Sequence, residues 1–278
     1  MNQKQMINSR TKLCAVIGHP VAHSLSPEIH NAAFKEKGLN FAYLAFDVMP
    51  NTLRKAIDAM RALDFRGYSI TIPHKIAALQ FVDSLDPIAK KIGAINTIVN
   101  EKGKLIGYNT DVIGAIKALE QKINLNGKRV LLIGAGGAAR GIGFGLKEKN
   151  SIITISNRTE EKGIALSNSL GCNFAKFNEL PNLSFDVLIN ATSMGMHPNI
   201  NETIVSEGVL NKKMLVFDIV YNPIKTKLIK AAEKKGIETV SGIEMLSLQA
   251  AAQFELFTGE KAPLNLMRKI AIENLVKK

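Results

Sequence analysis

Short apolar runs alternate with segments of helical periodicity along the first part of the chain. Such runs, bounded by turn residues, are typical of buried strands. They lie at Leu13–Ile17, Phe41–Val48, Gly67–Ile72, Ile95–Val99 and Lys104–Tyr108. The last two flank residues 100–103, which predicts a hairpin and therefore a locally antiparallel edge. The alternation of strands with helices elsewhere predicts a mainly parallel sheet.

Helices are predicted between these strands from caps and prolines. They run over Glu28–Lys37, with Ser26 as N-cap and Pro27 in the first turn, from Asn51 or Thr52 to Leu63, from Pro73 onward, and from Thr110 or Asp111 to about Lys122.

The alternation begins again after the polar, turn-rich segment 124–128. Strands are predicted at Val130–Ile133, Ile152–Ser156, Asn173–Phe177 (short), Phe185–Asn190, Met214–Ile219 and Thr239–Val240. After Gly242 the pattern is helical, over Glu244–Phe257 and Pro263–Val276, and no strand follows. We therefore expect an α/β fold of two domains, with the final helices packing back onto the first.

A glycine-rich turn links Val130–Ile133 to the next helix. Residues 134–139 are GAGGAA. Glycine lets the backbone approach a pyrophosphate closely, and the free amides and positive end of the helix favour its charge. The segment departs from G-x-G-x-x-G because Ala139 takes the last position, where small size matters most. Its position between strand and helix favours a nucleotide site over a simple tight turn.

The next strand ends in Asn157, Arg158 and Thr159, and Arg158 lies 24 residues after Gly134. An NAD-preferring site normally places an acidic residue there to hold the ribose 2′-hydroxyl, whereas an Arg suits the 2′-phosphate of NADP. The alternative is a solvated loop arginine. The sequence favours NADP.

Composition limits the classes of protein that fit. With 278 residues, 46% hydrophobic and 22% charged, the chain is typical of soluble globular proteins of up to two domains. No apolar run approaches the ~20 residues of a membrane span. The polar N-terminus has no signal-peptide core, and Cys14 and Cys172 indicate no disulfide framework, so we expect a frayed extension and the cytoplasm.

The net charge of +12 raises the alternative of nucleic-acid binding. The basic residues are dispersed among acidic ones, and there is no Trp, which provides little for base stacking. A basic surface that attracts anionic ligands fits better. The chain has neither H-E-x-x-H nor C-x-x-C, and its five His are not at metal-ligand spacing, so no metal site is expected.

Polar clusters at strand ends and helix starts supply the candidate chemistry. They contain Ser24 and Ser26, Ser69 with Thr71 and Lys75, Asn96, and Asp111. The two serines suit a carboxylate or a polyol, although Ser26 also suits a cap. A Lys in the first turn of a helix opposes the helix dipole, which argues against a purely structural role for Lys75. Lys75 and Asp111 would suit proton transfer if they met, and the sequence alone does not show that they do.

Nine segments, taken in order, make the chain resemble the shikimate dehydrogenase family. They are HSLSPEIHN, SITIPHK, GAINT, GYNTD, GAGGAAR, SNRT, NATSMGM, DIVYNP and GIEMLSLQA. The resemblance implies reversible NADP-dependent reduction of 3-dehydroshikimate to shikimate, in chorismate and aromatic amino acid biosynthesis, by a cytoplasmic monomer or homodimer. It implies a substrate domain over residues 1–111, to which 246–278 return, and a Rossmann NADP(H)-binding domain over 112–245.

The resemblance also assigns roles. Lys75 is implied as catalytic acid/base, with Asp111 as its partner. The implied substrate contacts are these two with Ser24, Ser26, Ser69, Thr71, Asn96, Tyr221 and Gln249. The implied cofactor contacts are Gly134, Ala135, Gly136, Gly137, Ala138, Asn157, Arg158, Thr159, Thr192, Ser193, Met194, Ile219 and Gly242. Ser69 stands where many members have Asn, and Val112 where Gly is common, so substrate preference stays open.

Several alternatives remain. A quinate/shikimate dehydrogenase differs only in a few pocket contacts. A catalytically silent NADP-binding sensor would keep the glycine turn, but the chain also has Lys75 and Asp111. Methylenetetrahydrofolate dehydrogenase also joins a Lys-bearing domain to a Rossmann half, but the SLSP, NTD and GIEMLSLQA segments favour the shikimate family.

Overall fold

The computed structural model describes residues 7–277, so the start of the predicted N-terminal extension lies outside the described residues. The chain forms two compact units. The first extends to Thr110 and also contains the chain from Gln249 onward, and the second is Asp111–Leu248. The domain boundaries given above, 1–111 with 246–278 and 112–245, remain predictions.

The first unit contains a six-stranded sheet in the spatial order β2-β1-β3-β5-β6-β4. Its strands are β1 (Lys12–Gly18), β2 (Phe41–Asp47), β3 (Gly67–Ile70), β4 (Ser84–Leu85), β5 (Thr97–Glu101) and β6 (Lys104–Tyr108). Strand β1 pairs in parallel with β2 and β3, and β5 pairs antiparallel with β3 and β6. The predicted hairpin is confirmed, with Lys102 and Gly103 at positive φ in its turn. It does not form the edge, because β4 pairs with β6 on its outer side.

Helices of the first unit are α1 (Ser26–Glu36), α2 (Leu53–Ala62), α3 (Pro87–Ile92) and, later in the chain, α9 (Leu264–Val276). The prediction of Ser26 as N-cap is wrong. Leu25 is the N-cap, because its carbonyl already accepts the first intrahelical bond, from the Ile29 amide at 3.1 Å. Helix α9 packs against α1, which confirms that the C-terminal helices return to the first unit.

The helix predicted from Pro73 is also wrong. Residues 72–76 form successive turns, and only a short 3₁₀ helix follows, at Ala77–Phe81. The carbonyl of Lys75 accepts the amide of Ile95 at 2.8 Å, which ties this segment to the chain just before β5. Lys75 therefore lies in a turn, and the helix-dipole argument about it does not apply.

The second unit is a doubly wound sheet in the order β12-β11-β10-β7-β8-β9, with every pairing parallel. Its strands are β7 (Arg129–Ile133), β8 (Ile152–Ser156), β9 (Asn173–Phe174), β10 (Val187–Asn190), β11 (Leu215–Asp218) and β12 (Glu238–Val240). Its helices are α4 (Asp111–Glu120), α5 (Gly137–Glu148), α6 (Glu160–Leu170) and α7 (Lys227–Lys234), and α8 (Gly242–Thr258) begins there. The order reverses between β7 and β10, where doubly wound sheets bind ligands.

Within residues 7–277, none of the helices is long and apolar enough to cross a membrane.

Candidate active site

The turn that carries Lys75 is fixed to the first sheet at several points. Thr71, just beyond β3, donates its amide to the Ile17 carbonyl at 3.0 Å. The buried ring of His74 lies with Nε2 2.6 Å from the Val48 carbonyl. The Ile95 amide also donates to the Lys75 carbonyl. The backbone around the half-buried Lys75 is therefore held by residues from both earlier and later parts of the chain.

Asn96 and Gln249, two predicted substrate contacts, lie together in the first unit. Asn96 is 2% exposed, and its Oδ1 accepts the Thr110 amide at 2.7 Å. Because an amide N–H can only donate, the other end of the Asn96 side chain is Nδ2, which donates to Thr110 Oγ1 at 2.9 Å and to Gln249 Oε1 at 3.4 Å. The structure thus brings Asn96 and Thr110, the residue before Asp111, together with Gln249 of α8.

The two serines at the start of α1, one before it and one in its first turn, are linked through the Ser24 hydroxyl. Ser24 Oγ accepts the Ser26 amide at 3.3 Å. Ser24 is half-buried, and the side chain of Ser26 is buried on the first turn of the helix. This arrangement places two hydroxyls near a helix N-terminus, as a carboxylate-binding role requires.

Ser69 belongs to a buried network that the sequence did not predict. It contacts the hydroxyl of Tyr43 at 2.5 Å and Oε1 of Gln253 at 2.9 Å. Burial raises the pKa of Tyr43, and the Ser69 and Ser26 hydroxyls partly oppose that shift. Gln253 lies four residues after Gln249, and this helical spacing was the available signal for it. Nothing in the sequence singled out Tyr43.

Asp111 is the first residue of α4 and is 4% exposed. It belongs to the second unit and Lys75 to the first, so their proposed pairing remains a prediction. The neighbouring Val112 packs against Gly145 of α5, where an added Cβ would lie 2.6 Å from Val112 Cγ2. The larger residue at position 112 is therefore accommodated within the second unit.

The glycine turn, Gly134–Gly137, follows β7 as predicted and leads directly into α5. Gly134 has a φ of +125°, and a Cβ there would lie 2.9 Å from the Ala191 carbonyl oxygen. Gly136, the exposed N-cap of α5, provides no side-chain cap, and a Cβ on it would meet nothing within 4 Å. Uncapped helix amides beside open space fit an anionic group such as a pyrophosphate. Ala135 and Ala138 are half-buried in the same segment.

Asn157, Arg158 and Thr159 form the connection from β8 to α6. Asn157 Nδ2 donates to the Thr159 carbonyl at 2.8 Å, which fixes the turn, and the side chain of Arg158 is exposed. Thr159 is the N-cap of α6 without a side-chain bond to it. An exposed arginine at the carboxyl end of the strand next to the glycine turn is available to an external phosphate.

The 191–196 loop follows β10 and contains Thr192, Ser193 and Met194. Asn190 Oδ1 accepts the amide and the hydroxyl of Thr192 at 3.1 and 2.7 Å, and the Met194 amide donates to Thr192 Oγ1 at 3.1 Å. Asn190 Nδ2 donates to Asp218 at 3.0 Å. The loop is thus folded around one asparagine side chain.

Asp218, at the end of β11, holds that asparagine and was also missed by the sequence analysis. It is fully buried and accepts bonds from Asn190, the Val220 amide and, at 2.6 Å, the Thr226 hydroxyl. Burial raises the pKa of Asp218 to about 6, against the lowering effect of these bonds. Its position at the carboxyl end of a strand, within DIVYNP, was the available signal.

Ile219, Tyr221 and Gly242 lie beyond β11 and at the start of α8. A Cβ on Gly242 would clash with the carbonyl oxygen of Ile219 and would lie 2.5 Å from that of Val220. Only glycine permits this approach of α8 to the backbone. Tyr221 is half-buried in the second unit.

Three family models cover most of the chain. The shikimate dehydrogenase substrate binding domain matches residues 16–98, shikimate / quinate 5-dehydrogenase matches 117–240, and the shikimate 5′-dehydrogenase C-terminal domain matches 242–272. A relative named shikimate dehydrogenase (NADP(+)), from Methanocaldococcus jannaschii, is 46% identical over 98% of this chain and its own full length. The chain belongs to the shikimate dehydrogenase family.

Solved structures of the shikimate dehydrogenase family agree with the fold. A crystal structure of a shikimate dehydrogenase in complex with NADP⁺ is 44% identical, with a TM-score of 0.94 over 97% of this chain and 98% of its own. The enzyme from Thermus thermophilus, in complex with NADP(H) and shikimate, is 34% identical, with a TM-score of 0.89 over 95% and 99% of the two chains.

In family terms, the first unit holds the substrate-binding domain and the second the Rossmann-like domain. Among the described residues, no three His, Cys, Asp or Glu side chains are placed to hold a metal ion.

Proposed function

We propose that this chain catalyses the reversible, NADP-dependent interconversion of 3-dehydroshikimate and shikimate. The observation that carries the proposal is the 46% identity to a shikimate dehydrogenase (NADP(+)) along essentially the whole of both chains. The geometry supports it, because one unit presents hydroxyls, amides and a fixed lysine, and the other presents a glycine turn suited to a pyrophosphate.

The second unit would hold the cofactor. Its pyrophosphate would lie at Gly134–Ala138, where the backbone leaves room beside the uncapped α5 amides. Asn157, Arg158 and Thr159 would contact the 2′-phosphate, and the 191–196 loop with Ile219 and Gly242 would line the remainder. When bound, the nicotinamide supplies or accepts the hydride.

The first unit would hold the substrate. Ser24 and Ser26 would bind the carboxylate, and Ser69, Thr71, Asn96 and Gln249, with Tyr221 of the second unit, would orient the ring. Lys75 would donate a proton to the oxygen of the ketone as it is reduced, and would accept the hydroxyl proton in the reverse direction. Asp111 would orient Lys75 and favour its charged form.

Lys75→Ala tests the proton-transfer role. We expect kcat for shikimate oxidation to fall by roughly 10²–10⁴-fold, the usual contribution of a positioned acid/base, while the Kd for NADP⁺ changes little. Steady-state kinetics and isothermal titration calorimetry measure the two quantities. Lys90→Ala, an exposed lysine of α3, is the matched control and should behave as the unmodified protein. Turnover in the Lys75 variant equal to that of the control would remove Lys75 from this role.

Broader substrate or cofactor use is the second candidate, because Ser69 stands where many members of the family have Asn and substrate preference is therefore open. Rates with shikimate and quinate, each with NADP⁺ and NAD⁺, separate the alternatives. We expect oxidation of shikimate with NADP⁺ only. Comparable rates with quinate or NAD⁺ would place the chain in the quinate/shikimate branch. A folded protein that binds NADPH but oxidises neither substrate would favour the NADP-binding sensor without catalytic activity.

Assembly and location complete the proposal: a cytoplasmic monomer or homodimer without a nucleic-acid partner. Light scattering during size-exclusion chromatography, with and without added duplex DNA, tests the assembly and the absence of DNA binding. A larger oligomer, or a shift in mass with DNA, would contradict these parts of the proposal.

A further inference from the structure

The Ser69 network, formed by Tyr43, Ser69, Asn96, Thr97 and Gln253, lies within the first unit. Every member is at most 5% exposed, so its groups depend on one another for hydrogen bonds. Two backbone groups, the Thr110 amide and the Asn96 carbonyl, fix the orientation of the Asn96 and Gln253 side-chain amides, and the direction of the other bonds follows from these.

The orientation of Gln253 follows from a backbone carbonyl. One end of its side-chain amide lies 3.1 Å from the Asn96 carbonyl oxygen and 2.9 Å from Thr97 Oγ1. Because a carbonyl can only accept, this end is Nε2 and the other is Oε1. The Thr97 hydroxyl in turn donates to Asn96 Oδ1 at 2.8 Å, which leaves its own oxygen free to accept from Gln253.

The direction of the Ser69 bonds follows from Gln253. Oε1 of Gln253 has no hydrogen, so at 2.9 Å Ser69 must donate to it. Ser69 has a single hydroxyl hydrogen, and therefore the Tyr43 hydroxyl, 2.5 Å away, must donate to Ser69. One acceptor position remains on the Ser69 oxygen, and no donor remains.

We propose that Gln253 acts as a positioning residue that makes Ser69 an acceptor only, so that the substrate must present a hydroxyl donor to Ser69. The inference rests on the proposed function, which places Ser69 in the substrate site. An asparagine at position 69 would offer both donors and an acceptor, so this chain should be more selective than members that have one.

Two analogues of shikimate test the proposal, each with fluorine in place of one of the two ring hydroxyls that do not react. Fluorine is close in size to a hydroxyl but cannot donate. We expect kcat/KM to fall at least about tenfold for one of the two fluoro analogues, because two acceptors would then face each other. In Gln253→Met the Ser69 hydrogen is released, and the ratio of kcat/KM for shikimate to that for this analogue should shrink several-fold toward one.

Two further variants keep the test decisive if Gln253→Met does not fold. Ser69→Ala should lower kcat/KM for shikimate and bring the same ratio close to one, whereas Gln80→Met, an exposed glutamine, should leave it unchanged. A ratio near one in the unmodified protein, or a large ratio that persists in Ser69→Ala, would overturn the inference while shikimate oxidation stands. No oxidation of shikimate by the unmodified protein would instead reject the proposed function.

Discussion

Gly134 and Gly136 lie two residues apart in the glycine turn but have different surroundings. A methyl group on Gly136 would meet nothing within 4 Å, and its φ of −82° suits any residue. We therefore expect Gly136→Ala to keep Tm within about 2 °C and to raise KM for NADP⁺ at least about tenfold, since the methyl group would occupy the space assigned to the pyrophosphate. Scanning fluorimetry and steady-state kinetics measure the two effects.

Gly134→Ala is the matched contrast, because its φ of +125° and the Ala191 carbonyl at 2.9 Å oppose any side chain. It should lose about 1–3 kcal/mol of stability in addition to cofactor binding. If Gly136→Ala bound NADP⁺ as well as the unmodified protein, the pyrophosphate would not lie against this turn.

Arg158 carries the expected preference for NADP over NAD. Its exposed side chain follows β8, so removing it should not disturb the fold. We expect Arg158→Ala to raise KM for NADP⁺ about 10- to 100-fold, the loss of one charge-assisted bond, and to leave KM for NAD⁺ unchanged. Arg54→Ala, an exposed arginine of α2, serves as control. An equal rise of KM for both cofactors would point to a structural role.

Individual residues were predictable where a local rule governs them. The glycine turn follows from what a backbone near an anion requires. The prediction of Ser26 as N-cap fails, because the helix already begins at Ser26 and its N-cap is the buried Leu25, a residue type that no cap rule favours. Tyr43 and Gln253 meet Ser69 across more than 25 residues of sequence, and such contacts leave no local signal.

The end of β11 connects three elements through Asp218. Its carboxylate holds the asparagine that ends β10 and shapes the 191–196 loop, and it accepts a bond from Thr226, whose side chain caps α7. We expect Asp218→Asn to raise KM for NADP⁺ about tenfold or more with a smaller change in kcat. A neutral amide oxygen accepts the Asn190 bond less strongly than a carboxylate does, and the new NH2 would face the Thr226 hydroxyl, which must reverse its bond, so the loop would loosen.

Steady-state kinetics with NADP⁺ varied at saturating shikimate separates the two parameters. Asp58→Asn, an exposed carboxylate of α2, controls for loss of one charge. A folded Asp218→Asn protein with unchanged KM for NADP⁺ would show that the 191–196 loop is not held through Asp218 for cofactor binding.

At the level of elements, the long apolar strands were predicted well and the short segments poorly. Strand β4 has two residues and exists only because β6 lies beside it, so no pattern within 84–85 reveals it. The expected helix at Pro73 is replaced by turns because the Ile95 amide and the Val48 carbonyl bind this segment from elsewhere in the first unit. Pairing distant in sequence overrides local propensity in both cases.

For the whole molecule, the two-fold repetition of alternating strands and helices predicted the α/β class and the Rossmann-like sheet, whose strand order follows from parallel crossovers. The return of the C-terminal helices to the first unit was also predictable. No strand follows these helices, so they do not extend the second sheet and must pack elsewhere. The mixed order of the first sheet was not, because an antiparallel hairpin can join an edge or, as here, lie inside it.

Two buried groups, one in each unit, should give the stability of the molecule opposite pH dependences. Burial lowers the pKa of His30 from 6.5 to about 3, and the nearby Gln253 amide opposes this without reaching hydrogen-bond geometry. Between these values only the unfolded chain holds the proton, so the free energy of unfolding rises with pH. The pKa of Asp218 is raised from 3.8 to about 6, so between those values only the folded chain holds the proton, and stability falls as pH rises.

Variants separate the two contributions, because the difference from the unmodified protein removes the effect of all other groups. Between about pH 4 and 6, the free energy of unfolding of His30→Phe relative to the unmodified protein should fall as pH rises, and that of Asp218→Asn should rise, each by at most about 1.4 kcal/mol per pH unit. Urea denaturation across this range measures both slopes. If the two units unfold in separate transitions, each slope should appear only in the transition of the unit that contains the residue. If this difference in the free energy of unfolding changed in the same direction with pH in both variants, the opposite pH dependences would be wrong. The neutral states expected for the two buried side chains in the folded protein would then be wrong as well.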